Sequence, residues 1–228
     1  MCGRARQVLD WQELRVEWWT GQTALNLEPR WNAAPRQRLL IVRKRAGAHG
    51  AEALPMEWGF VPSWEKDPKR ARRPINAMAE TVATNGFWRE AWKQRRCLFP
   101  VSAFYEWQPR GKAKIPYSIG RRDGRSMGLG ALWDEWADRA TGQTLTSFAV
   151  ITCPANELVA EIHDRMPVVL DPADYATWLD GSPEAAAGVL RPFPAAELTA
   201  YRVSDRVGDV RNNTPDLAER VADLTTLL

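Results

Sequence analysis

The chain is poor in the residues that build metal sites and disulfide frameworks. Three cysteines (Cys2, Cys97 and Cys153) and two histidines are spread over 228 residues. An odd cysteine count at wide spacing, with no Cys-x-x-Cys pair, argues against a disulfide framework and against a zinc site, and fits a reducing compartment. No run of 18 or more apolar residues occurs, and no apolar stretch follows a basic start. Neither a membrane span nor a secretory leader is expected, and a cytoplasmic setting follows by default. Repeats, low-complexity tracts and linkers rich in Gly, Ser or Pro are also missing. One domain over 1–228 is therefore expected, and 45% hydrophobic residues suffice for a sizeable core.

What the chain does have is tryptophan and unevenly placed charge. The net charge of +3 hides 24 Lys and Arg against 12 Asp and Glu in residues 1–130, and 7 against 16 in residues 131–228. A polyanion would meet the first part. Its densest cluster, Lys66 to Arg73, suits phosphate backbones, and the interleaved Trp64, Trp88 and Trp92 offer flat faces for unpaired bases. Most of the 12 tryptophans must nevertheless be core, so charge alone leaves a solvated surface equally open.

Periodicity reads as mixed α and β. Val8, Trp11, Leu14 and Trp18 recur at helical steps, predicting an amphipathic helix that ends near Gly21. A strand-like Leu39–Val42, a hairpin tip around His49, an aromatic Gly- and Pro-broken stretch Trp58–Trp64 and a helix over Phe87–Gln94 follow. Four strand-like runs come next: Arg96–Trp107, Ile115–Gly120, Ser126–Trp133 and Leu145–Thr152. Short turns between them predict an antiparallel sheet curved into a barrel or folded into two layers. Asn156 is placed to cap a helix over Glu157–Ile162, and Asp171-Pro172 to open another through Leu179. A last helix is expected after Pro215.

The first residues carry the most distinctive chemistry. Removal of Met1 would leave Cys2 with an α-amine and a thiol on adjacent carbons. At pH 7 about one sixth of an α-amine is neutral, against roughly one part in 2500 of a lysine, because their pKa values lie near 7.7 and 10.4. Such an aminothiol condenses with an aldehyde to an imine and closes to a five-membered thiazolidine. The other reading, an ordinary second residue on a frayed terminus, stays open from these residues alone. Glu106 sits among Phe104, Tyr105 and Trp107. It is either desolvated, with a raised pKa suited to proton transfer, or on the solvent face of an alternating strand. His163, where a helix gives way to an extended Pro-containing run, is either catalytic or structural. Gly124-Arg125-Ser126-Met127-Gly128 matches Gly-x-Ser-x-Gly, but a turn precedes the serine and a strand follows it, the reverse of a nucleophile elbow.

Met1-Cys2-Gly3-Arg4, Trp58–Trp64, Asn76–Thr81, Phe104–Trp107 and Ile162–Pro167, in this order over nearly the whole chain, closely resemble the motifs of the SOS-response-associated peptidase (SRAP) family, the abasic-site processing proteins. The resemblance implies one α+β domain with a curved, barrel-like antiparallel sheet, flanking helices and a basic DNA-binding groove. It implies single-stranded DNA containing abasic sites as partner and a covalent crosslink through Cys2. Asn76 would then hold the Cys2 amine, Glu106 would shuttle protons and His163 would assist opening of the sugar ring. Arg4 and Arg165 match positions near the abasic nucleotide, and Pro35 and Trp107 match positions that stack on or wedge against bases. The family often has arginine where this chain has Met78 and Gly86, so Lys69, Arg70, Arg72 or Arg73 are expected to compensate, with Trp64 beside them. A monomer is expected, with no cofactor, metal or membrane partner, associated with the nucleoid when bound to damaged DNA. The alternative is a self-processing cysteine peptidase or amidohydrolase using Cys2, with DNA binding incidental.

Overall fold

A computed structural model describes residues 2–10, 28–44, 50–138 and 140–221. Thirteen strands lie within them: β1 Ala5–Gln7, β2 Arg30–Ala33, β3 Arg38–Lys44, β4 Ala51–Trp58, β5 Asn76–Met78, β6 Arg96–Val101, β7 Ala103–Arg110, β8 Ala113–Arg121, β9 Met127–Ala137, β10 Thr144–Pro154, β11 Arg165–Pro167, β12 Val169–Leu170 and β13 Leu198–Arg202. The long apolar runs become the longest strands, β9 and β10, because a strand buried on both faces needs apolar residues at every position rather than at alternate ones.

The strands form two sheets. In the larger, β10, β4, β3, β6 and β9 pair in succession and β9 pairs back to β10, closing a ring. A closed ring leaves no unpaired edge, and β5, β11 and β12 add to it at β10 and β9. At its core, Trp58 of β4, Phe99 of β6 and Phe148 of β10 meet with ring centroids 5.4, 6.0 and 5.1 Å apart. The smaller sheet runs β13-β8-β7-β1-β2, all antiparallel. The α+β architecture with a ring-like curved sheet agrees with expectation. Its antiparallel character does not hold throughout: β10 runs parallel to both β4 and β5, which the long connections between them permit.

Several local readings change. The run Arg96–Trp107 is two strands, because the chain leaves the ring at Ser102 and enters the second sheet. The helix capped by the Asn156 side chain stops at Ala160. A 3-10 turn Pro172–Asp174, capped by Asp171, leads into the helix Tyr175–Asp180, and after Pro215 there is one 3-10 turn. The strands β3 and β4 pair as the hairpin expected around His49, whose tip lies outside the described residues. So does the helix predicted after Val8. Ser126 stands before β9 after a turn, and Gly128 serves packing: a Cβ there would lie 2.8 Å from the Tyr175 ring. Among the described residues no helix is long and apolar enough to cross a membrane.

Candidate active site

The short strand β1 sets the site. It lies between β2 and β7, with Ala5 opposite Phe104 and Arg6 opposite Ala103, and the Tyr105 amide donates to the Arg4 carbonyl at 2.9 Å. Carried two residues outward, this register brings Gly3 level with Glu106. From the other sheet, β10 holds β5 so that Asn76 is opposite Val150, and Asn76 Nδ2 donates to the Cys2 carbonyl at 3.0 Å. Cys2 is therefore no frayed terminus, nor is it an exposed aminothiol: it is 0% exposed. Strand pairing draws Cys2 into the molecule. Burial pushes the Cys2 thiol well above its ordinary value, and the neighbouring Glu106 charge adds to the shift.

Glu106 is 3% exposed, which settles its two readings. Alternation fails because both faces of β7 are covered here. The main core packs on Phe104, and a second apolar cluster, Val203, Val207 and Leu217, packs on Tyr105. Burial raises the Glu106 carboxyl above its ordinary 4.5, opposed by positive charge at the N-terminus and at His163. His163 follows the short helix Glu157–Ala160 and is held by its own amide to the Val159 carbonyl at 2.8 Å. Its Nδ1 accepts from the Arg165 amide at 3.0 Å, which puts the proton of the neutral ring on Nε2. The same Nδ1 lies 2.8 Å from Asp164 Oδ1, a contact that needs a proton on Nδ1. The two cannot hold at once, so the Arg165 amide and the Asp164 carboxylate compete for this nitrogen.

A buried cysteine at the second position, an orienting amide, a carboxyl whose pKa burial raises and a histidine that interacts with that carboxyl make a set suited to proton transfer and, once the Cys2 amine is freed, to carbonyl addition. A family model described as SOS response associated peptidase (SRAP) matches residues 1–210. The chain belongs to the SRAP family. It is 32% identical over 225 residues to abasic site processing protein YoqW of Bacillus subtilis, covering 96% of this chain and 99% of that one. It is 30% identical over 233 residues to abasic site processing protein YedK of Escherichia coli, covering 97% and 100%. A crystal structure of a Bacteroides thetaiotaomicron protein superposes with a TM-score of 0.82 over 97% of this chain and 98% of that one, at 24% identity, which shows a shared fold.

Around the centre of this SRAP chain the other predicted contacts divide. Trp64 is 60% exposed and sets its ring edge-on to Phe87 at 5.8 Å. Trp88 and Trp92, read as base-stacking faces, are buried instead, against Phe60 and Trp178. Lys69, Arg70 and Arg72 are exposed, whereas Arg73 is half-buried, adopts φ 47° and is paired with Glu57. Pro35 is half-buried in the turn between β2 and β3. Arg4 lies over the Trp107 ring at 5.6 Å and donates to Asn32 Oδ1 at 2.9 Å and to the Val207 carbonyl. Met78 is 47% exposed and Gly86 is also at the surface. Two partners went unread in the sequence: Glu80, which forks onto Arg165, and Asn32, which anchors Arg4. Glu80 is visible as the acidic residue four positions after Asn76, but nothing local names its partner. Among the described residues no group of three or more His, Cys, Asp or Glu is arranged to hold a metal ion.

Proposed function

We propose that this SRAP protein binds single-stranded DNA and, once Met1 is removed, traps abasic sites as a thiazolidine on Cys2, shielding the strand from cleavage. The observation that carries the reading is the Asn76 to Cys2 hydrogen bond beside Glu106 and His163. Names of relatives support abasic sites as the substrate. The exposed Trp64, Lys69, Arg70 and Arg72 support contact with unpaired bases and phosphates. Buried thiols at Cys97 and Cys153 fit the reducing cytoplasm.

An abasic deoxyribose is mostly a closed hemiacetal. His163 assists proton transfer at the ring oxygen, and the ring opens to the C1′ aldehyde. The Cys2 amine adds to that carbon, one amine proton passes to the oxygen, the hydroxyl leaves as water with a second proton from Glu106, and a protonated imine remains. Asn76 Oδ1, buried without a hydrogen-bond partner among the described residues, supplies an acceptor that aims the amine. The thiol, kept protonated by burial, then needs a base. Glu106, now a carboxylate, takes its proton and is restored to the acid, and sulfur attacks the carbon of the protonated imine to close the ring, the nitrogen keeping the hydrogen it already carries. One water is released overall.

The peptidase reading asks more of the sulfur. Amide attack uses a thiolate, and burial disfavours it here, whereas the trap begins with the amine. Mixing the mature protein with abasic single-stranded DNA is expected to give a band that survives denaturation, with a thiazolidine mass on Cys2. Cys2→Ala is expected to remove it. Peptide turnover without a DNA adduct would establish the peptidase reading instead.

A further inference from the structure

The Arg165 guanidinium is nearly spent inside the protein. Its Nη1 and Nη2 donate to the two Glu80 oxygens at 2.7 and 2.9 Å. Nη2 also donates to the Thr152 carbonyl at 2.8 Å, and Nε to the Thr152 hydroxyl at 3.3 Å. A guanidinium has five N–H groups, and one remains. A side chain so committed is poorly placed as a phosphate ligand beside the abasic nucleotide, where the resemblance puts it. A planar fork on a carboxylate is a geometric clamp instead.

What the clamp joins is informative. Glu80 follows Asn76 by four residues, and the intervening Ala79 amide donates to the Thr152 carbonyl at 2.8 Å. Arg165 opens β11 opposite Pro154, two residues after His163. The ion pair thus ties the segment that orients Cys2 to the segment that carries the histidine. Arg165 also reaches His163 directly, because its backbone amide donates to Nδ1.

We infer that Glu80 is a positioning residue for His163, acting through Arg165. By fixing the Arg165 side chain and the start of β11, the fork keeps the Arg165 amide on Nδ1 and the ring proton on Nε2. Asp164 competes for the same nitrogen: its Oδ1 stabilises a proton on Nδ1. Glu106, when ionised, is a second negative group interacting with the ring. With the fork intact the backbone amide wins. With Glu80 neutralised, β11 loosens and Asp164 draws the proton to Nδ1, so the ring presents the wrong nitrogen for proton transfer to the sugar oxygen. The inference rests on the abasic-trapping reading for its consequence in rate, but not for its consequence in tautomer.

The test uses the full chain labelled with nitrogen-15 histidine. The sequence has two histidines, and His163→Gln assigns the signals. Three readouts are compared for the parent, Glu80→Gln and Glu80→Asp: ring nitrogen shifts, the crosslinking rate on an abasic oligonucleotide, and affinity for the same oligonucleotide without the lesion. Glu80→Gln is expected to shift His163 toward the Nδ1–H form and to slow crosslinking by about tenfold or more. Affinity for intact DNA should stay within about twofold, since a positioning group acts on the chemical step. Glu80→Asp, which keeps the charge, should restore most of both effects, which separates positioning from a general loss of folding. An unchanged tautomer overturns the inference. So does tighter DNA binding with a salt slope steeper by about 0.7, the signature of a released phosphate contact, which would make Glu80 merely a competitor for Arg165. If the parent forms no crosslink, the functional reading falls while the nitrogen shifts still decide the clamp.

Discussion

Glu106 couples chemistry to stability. Its carboxyl titrates above the ordinary 4.5 because it is buried. Below that value folded and unfolded chains both carry the proton and nothing is lost. As pH rises from there through the raised folded value, the unfolded state ionises first, so stability falls and then levels off. Glu106→Gln is therefore expected to be more stable than the parent near pH 8, with the gap closing near pH 4, measured as thermal midpoints in the two buffers. Crosslinking should nonetheless fall by about 10²-fold or more, the scale of a lost general acid and base. A gap that widens on acidification would contradict the burial account. At this scale the sequence was informative about residue types: Cys2, Glu106 and His163 stood out by their own chemistry, and Asn76 through the family resemblance. Their company was not legible, because the pairs around them join positions 74 and 85 residues apart.

At the level of elements, the two sheets are tied by one buried amide. Gln7 of β1 donates through Nε2 to the Leu40 and Pro100 carbonyls, and its Oε1 accepts from the Leu40 amide, all at 2.9 Å. Gln7→Leu leaves those buried backbone groups without partners and is expected to cost about 3 kcal/mol or more by denaturant unfolding. A loss under about 1 kcal/mol would mean that water replaces the amide. Strand positions were largely legible, since apolar runs with short turns permit little else. The break at Ser102 was not. Nothing in the run Arg96–Trp107 marks it, and it exists because Ser102 is bonded to Arg6 of the other sheet, by its amide at 2.8 Å and its hydroxyl at 3.1 Å. The helix capped by Asn156 came out shorter than its cap promised because the chain turns within five residues into β11, which pairs with β10.

Over the whole molecule, the charge excess of residues 1–130 supports an electrostatic grip on DNA, but its members are not equivalent. Arg4, Arg73 and Arg165 are engaged with protein partners, while Lys69, Arg70 and Arg72, which follow the exposed Trp64 in the chain, stand exposed. Replacing those three with alanine is expected to weaken single-stranded DNA binding and flatten its dependence on the logarithm of salt by about 2. Titrations at several salt concentrations measure it, and an unchanged slope would move the DNA path elsewhere.

The sequence by itself determined the fold class and the family, because hydrophobic patterning and short motifs are local properties. The tertiary structure alone decided that Cys2 is buried, that Glu106 is desolvated and that Arg165 is spent on Glu80. Each of these depends on which strand lies beside which, and strand order is chosen by the collective burial of both sheets rather than by any one segment.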